Sequence, residues 1–249
     1  MDIDLSPESN VRTVEIPTHP GFLAGNVHLP LHVPAPVVVC CHGLLSSKDS
    51  SKYLAIGETL SHAGFAVVRF DFSGCGESAA PCMDTLLNTR MRDLQATLDY
   101  VQKQPWANGQ LGLLGSSLGG YLALLAAART EQVHAVVCWA TPFDLAKVQD
   151  VLKSTRTPPP LSSHGMELGS PMSLSGLPAI HRVLVVHGQR DETVSWQEGL
   201  QLYHRLAEPR QLLLLENGDH RLLDPAYRKL AIHASLDWFS EHLTPHGPI

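Results

Sequence analysis

Six short, nearly unbroken apolar runs punctuate the middle and end of the chain: Val37–Cys41, Ala66–Phe72, Leu111–Leu114, Val133–Trp139, Arg182–Val186 and Gln211–Leu215. A strand wet on one face alternates apolar with polar, whereas a strand covered on both faces reads as a continuous apolar run. These six therefore predict the strands of a parallel sheet. Between them the period changes. Leu87, Met91, Leu94, Leu98 and Val101 recur at 4-3-4-3 spacing, which draws one apolar stripe down a helix. Residues 52–63, 118–129, 195–207 and 225–240 predict further helices. Near the start, Val11–Glu15 and Phe22–His28, separated by Pro and Gly, predict an antiparallel pair at an edge. Strand–helix alternation at this pitch means an open α/β sheet with right-handed crossovers. Residues 142–180 break the rhythm and carry Pro158-Pro159-Pro160, Pro171 and Pro178. They read as a short cap excursion from a single domain spanning 1–249, not as a second domain.

Composition narrows the class. The 249 residues are 44% hydrophobic and 17% charged, values of a folded globular chain. A net charge of −6, with no run of Lys or Arg longer than two, argues against an extended nucleic-acid or anionic-membrane surface. The Met1–Leu5 start has neither the basic nor the apolar region of a signal peptide. The longest apolar runs fall far short of the roughly 18–20 residues of a membrane span. Five cysteines are an odd number, and Cys40 and Cys41 would face opposite sides of one strand. Without CxxC spacing they read as buried, reduced thiols of a cytoplasmic protein, not as disulfides or zinc ligands.

Open α/β sheets place reactive groups at the carboxyl ends of their strands. There the chain carries His42-Gly43-Leu44-Leu45, then Asp71-Phe72-Ser73-Gly74-Cys75-Gly76, then Gly115-Ser116-Ser117-Leu118-Gly119-Gly120. Asp144, Asp191 and Glu216-Asn217-Gly218-Asp219-His220 follow the last three runs. Gly115-x-Ser117-x-Gly119 has the spacing of a nucleophile elbow, with Ser117 at the tip and Ser116 read as facing away from the cleft. A serine hydroxyl needs a base, and the base needs orienting. His220 is the expected base and Asp191 the expected acid, with Asp144 its competitor; Asp219 lies too close in sequence to His220. His42 and His187 read as structural. The backbone amides of Leu118 and Leu44 are the expected oxyanion donors.

Together these stretches resemble the α/β-hydrolases of the serine-esterase type. "VVVCCHGLLSSKDS" resembles the oxyanion turn, "AVVRFDFSGCGESA" the strand-4 loop, "GSSLGG" the elbow, "VLVVHGQRDETV" the acid loop and "ENGDH" the histidine loop. Cys75 stands where that family often has His. The resemblance implies an eight-stranded, mostly parallel sheet with strand 2 antiparallel, and hydrolysis of a small-molecule carboxylic ester through an acyl-serine. Ser at position 117 argues against the dehalogenase, epoxide-hydrolase and dienelactone-hydrolase branches. Thioesterase, amidase or peptidase, and acyltransferase chemistry use the same triad, and a non-catalytic binding protein on this scaffold is the rival from another class. No cofactor and no metal is implied. A short, proline-stiffened excursion and apolar walls at Leu44, Leu45 and Leu118 predict short to medium, or compact aromatic, neutral acyl groups.

Overall fold

Eight strands form one sheet in the order β1-β2-β4-β3-β5-β6-β7-β8 in a computed structural model that describes residues 10–146, 148–149 and 168–243. The strands are β1 (Val11–Pro17), β2 (Phe22–His28), β3 (Ala35–Cys41), β4 (Ala66–Phe70), β5 (Ala107–Ser116), β6 (Ala135–Trp139), β7 (Val183–Gly188) and β8 (Arg210–Leu215). β2 runs antiparallel to both neighbours, β1 and β4; every later pairing is parallel. The expected edge pair is therefore β1 and β2, and β2 turns its other side to the parallel strands.

Each parallel strand needs cover on two sides, and its residues divide accordingly. In β3, Val37, Val39 and Cys41 belong to one core, Val38 and Cys40 to the other. The first core is closed by α2 (Leu86–Gln102), α3 (Leu118–Ala127) and α4 (Trp196–Arg205) through Leu94, Leu98, Leu122, Leu125 and Leu202. The second is closed by α1 (Ser51–His62) and α5 (Pro225–Leu243) through Tyr53, Ile56, Leu60, Trp238 and Phe239. α3 is apolar all round because it is buried all round, from Leu118 to Ala126. Truncating fully buried Leu94 to Ala would cost about 2–5 kcal/mol.

β5 is longer than the apolar run that announced it, extending through Gly115 and Ser116 to the edge of the turn. Within the excursion, residues 147 and 150–167, including Pro158-Pro159-Pro160, lie outside the described residues. Its described ends are tied to the body. Leu168 is fully buried, the Leu87 amide donates to its carbonyl at 2.9 Å, and the Tyr121 hydroxyl donates to the Pro171 carbonyl at 2.8 Å. Among the described residues no helix is long and apolar enough to cross a membrane.

Candidate active site

β5 lies inside the sheet, between β3 and β6, and ends at Ser116; α3 begins at Leu118. One residue, Ser117, makes the whole turn, with φ 55° and ψ −124°. A side chain in that conformation costs on the order of 1–3 kcal/mol, which the surroundings must impose. The Ser117 amide is pinned to the Trp139 carbonyl of β6 at 2.8 Å. Tightness explains the flanking glycines. A Cβ at Gly115 would lie 2.3 Å from the Gly119 carbonyl oxygen, and one at Gly119 would lie 1.9 Å from that of Cys41.

The turn after β3 packs on this elbow, and a Cβ at Gly43 would sit 3.3 Å from the Ser116 carbonyl oxygen. Buried His42 holds the turn: its Nδ1 donates to the Gly43 carbonyl at 2.8 Å, and its Nε2 accepts from the Phe72 amide at 3.1 Å. Burial first, then the Arg90 charge, lowers its pKa to about 3, so the ring is neutral. Arg90, fully buried, donates to the carbonyls of Gly43 and Leu44 at 3.2 Å each, and to the Cys75 sulfur at 3.5 Å. Among the described residues no hydrogen bond engages the amides of Leu44 and Leu118. Two backbone donors are thus left for a ligand.

Asp191 and His220 meet from neighbouring loops. His220 Nδ1 lies 2.8 Å and 3.0 Å from the two Asp191 oxygens. The same carboxylate accepts from the Thr193 and Val194 amides at 2.8 Å and 2.7 Å, and His187 Nε2 lies 3.3 Å away while reaching the Val194 carbonyl at 3.0 Å. Burial alone would push the Asp191 pKa up, but the bonds from His187, His220 and Val194 hold it well below the ordinary carboxylate range. A charged acceptor at Nδ1 keeps that nitrogen protonated and leaves Nε2 as the acceptor. Two glycines set the spacing of the loops. A Cβ at Gly188 would lie 2.1 Å from the Gly218 carbonyl oxygen, which also accepts from Arg190 at 3.0 Å.

Asp144 is spent elsewhere: its carboxylate caps the Ala146 amide at 2.7 Å, and its backbone bridges to Ser173. Asp219 serves the turn amides of Arg221 and Leu223.

Ser117, Leu118, Leu44 and His220 line one cleft of about 700 Å³. No hydrogen bond joins Ser117 to His220 at rest, a contact that apo sites commonly complete only with substrate. Ser116 does not face away from the cleft as expected. It contributes to the lining, and its hydroxyl accepts from Lys52 Nζ at 2.6 Å, because the first turn of α1 overhangs the end of β5. Sequence reasoning passed over Lys52, Arg90 and the second histidine on Asp191. Arg90 did leave a signal, a charge between Leu87 and Leu94 on the buried helix face. Among the described residues no cluster of three His, Cys, Asp or Glu could hold a metal.

A mostly parallel eight-stranded sheet that delivers a serine through a one-residue elbow defines the α/β hydrolases. The chain belongs to that family: residues 36–178 match the alpha/beta hydrolase fold. It is similar to the palmitoyl-protein thioesterase ABHD10, mitochondrial, of Mus musculus, at 31% identity over 215 residues, 77% of this chain and 71% of the relative. The Homo sapiens protein of that name is 29% identical over 223 residues, covering 80% and 71%. The solved structure of mouse alpha/beta hydrolase domain-containing protein 10 superposes with a TM-score of 0.72 at 27% identity, covering 92% of this chain and 99% of that one. XC6422 from Xanthomonas campestris, described as a serine hydrolase without lid, shares the fold with a TM-score of 0.71 at 22% identity, covering 97% and 98%.

Proposed function

We propose that the protein is a serine hydrolase that cleaves small-molecule carboxylic esters through an acyl-serine intermediate. The observation that carries this reading is the Asp191–His220 pair, 2.8 Å apart, on the same cleft as Ser117 and two unengaged amides. His220 Nε2 takes the Ser117 proton as the hydroxyl oxygen attacks the carbonyl carbon. The Leu44 and Leu118 amides hold the resulting oxyanion, each such donor being worth about 10²–10³ in rate. His220 then protonates the leaving oxygen, and water repeats the cycle on the acyl-serine. Asp191 keeps the imidazole in the right tautomer and stabilises its charged form.

The walls at Leu44, Leu45, Leu118, Pro142 and Val148 are apolar and suit a neutral acyl group. We read that group as short to medium, or compact aromatic. Five unpaired thiols agree with a reducing compartment, which we take to be the cytoplasm. A second reading, thioester hydrolysis, is favoured by the names of the ABHD10 relatives and uses the same residues.

A fluorophosphonate probe should label Ser117 and fail on Ser117→Ala. Matched oxoesters and thioesters from acetyl to palmitoyl then rank the substrates. Absence of labelling refutes the hydrolase reading and leaves the binding-protein alternative. A kcat/KM maximum at palmitoyl refutes the chain-length reading, and a thioester preference at every length selects the second reading.

A further inference from the structure

The cleft combines apolar walls with charged side chains of both signs, three cations and the carboxylates of Asp144, Glu192 and Glu198. Lys52, Arg221 and Arg228 line it together with His220. Arg228 is committed to the framework, donating to the Leu222 and Leu223 carbonyls and to the Ser51 hydroxyl. Lys52 gives one of its three protons to Ser116 at 2.6 Å, and two remain. Arg221 is hydrogen-bonded, among the described residues, only through its backbone amide. Among the described residues no carboxylate lies within 4.0 Å of either cation.

The acids of the cleft do not fill that gap, since each is held by backbone amides. Glu198 accepts from Phe143 and Asp144, Glu192 from His220, and Asp144 from Ala146. Asp191 and Asp219 act on Lys52 from a distance and are engaged by His220, His187 and the 219–223 turn. Burial first, then repulsion by Arg221 and Arg228, lowers the Lys52 pKa to about 8, with Asp219 and Asp191 opposing. Two cations of the cleft that holds Ser117, with no carboxylate within 4.0 Å among the described residues, form an arrangement that an incoming anion would relieve.

Position tells which half of a substrate bears that anion. The leaving atom must lie beside His220, because that imidazole protonates it. Arg221 is the next residue, and Lys52 is the charge that feels Arg221 and Arg228. The acyl half falls to Leu44, Leu118, Pro142 and Val148. Resting on the ester or thioester reading above, we propose that Lys52 and Arg221 form a recognition site for a carboxylate or phosphate-type anion on the alcohol or thiol half of the substrate.

The test uses butyrate esters of 4-hydroxybenzoate, 4-hydroxybenzamide and 4-hydroxyphenylphosphonate. The carboxamide is the better leaving group, so intrinsic reactivity opposes the expected preference. We expect kcat/KM for the carboxylate ester to exceed that for the carboxamide by about tenfold or more at low salt, the size of one favourable charge contact, and to shrink in 0.5 M NaCl. The phosphonate ester separates the two anion types. Lys52→Met and surface-exposed Arg221→Gln should each collapse the ratio, which cancels any general loss of activity. Independently of turnover, 4-hydroxybenzoate should protect Ser117 from fluorophosphonate better than 4-hydroxybenzamide.

A ratio at or below one with both esters hydrolysed, a ratio unchanged in both variants, or equal protection overturns the anion site and leaves the serine hydrolase standing. Absence of labelling and of hydrolysis of all three esters overturns the hydrolase reading, and the anion site with it.

Discussion

Replacing Asp191 with Asn removes one charge and, through the local hydrogen bonds, reverses the histidine. Asp191 Oδ1 accepts from the Thr193 and Val194 amides at 2.8 Å and 2.7 Å, so an asparagine must keep its carbonyl oxygen there. Its NH₂ then takes the place of Oδ2 and faces His220 Nδ1 across about 2.8 Å. Two donors cannot share that contact, and the retained oxygen, 3.0 Å from Nδ1, is already taken by the two amides, so His220 moves its proton to Nε2. It then cannot receive the Ser117 proton. Loss of the orienting carboxylate in such a triad costs about 10⁴ in kcat, or about 5.5 kcal/mol. Most of that should appear here, in kcat more than in KM, and the rate of fluorophosphonate labelling should fall in parallel. Circular dichroism and thermal melting of the same variant separate a chemical from a folding defect. Asp144→Asn, which disturbs only the cap on Ala146, should lose less than about tenfold, the worth of one hydrogen bond. A folded Asp191→Asn retaining more than about a tenth of wild-type kcat, or an Asp144→Asn equally inactive, would refute the assignment of the acid.

Ser117→Ala should abolish turnover in a normally melting protein, whereas Ser116→Ala, losing only the Lys52 contact, should cost about tenfold at most; the reverse ranking in a kcat comparison moves the elbow by one residue. Gly188→Ala forces a Cβ into the Gly218 carbonyl and should separate Asp191 from His220, costing about 10² in kcat for a shift near 1 Å. Buried His28 accepts from Arg69 at 2.8 Å, and burial first, then the Arg69 charge, lowers its pKa to about 4. The unfolded chain takes that proton near 6.5, so it binds more protons than the fold between pH 6.5 and 4. Stability should therefore fall as pH drops through that window, by up to about 3 kcal/mol from this residue. Urea melts of His28→Gln against wild type at pH 7 and 4.5 check it.

The sheet was legible because burial on both faces leaves continuous apolar runs, and β3, β6 and β7 appear close to where those runs stand. The apolar run marks β5 short at both ends: Ala107–Gln110 are mostly polar and partly exposed, and Gly115 and Ser116 belong to the strand geometrically while their composition speaks of a turn. Ser117, Asp191, His220, Leu44 and Leu118 could be nominated because the carboxyl edge of a parallel sheet is a topological address. Direction was harder. Ser116 was turned the wrong way because the sequence does not show that α1 leans over β5 and brings Lys52 to its hydroxyl. The second histidine on Asp191 was missed for a similar reason: His187 reads as a strand-end residue, and only the curl of 188–194 carries the carboxylate back to it. Arg90 was visible as a charge on an apolar stripe, but its target, two carbonyls more than 40 residues upstream, is fixed by packing alone.

Ser117 hangs from β5, locked between two strands, whereas His220 hangs from β8, which among the described residues ends the strand order and pairs only with β7. Local openings of a protein start where backbone bonds are fewest and most exposed, and an edge strand is such a place. If β8 peels from β7, the proton acceptor leaves and the alcohol stays behind, intact but inert. Under rising urea, turnover should fade before the ultraviolet signal of the helices does. The interval between the two curves would measure how firmly the last strand is fastened.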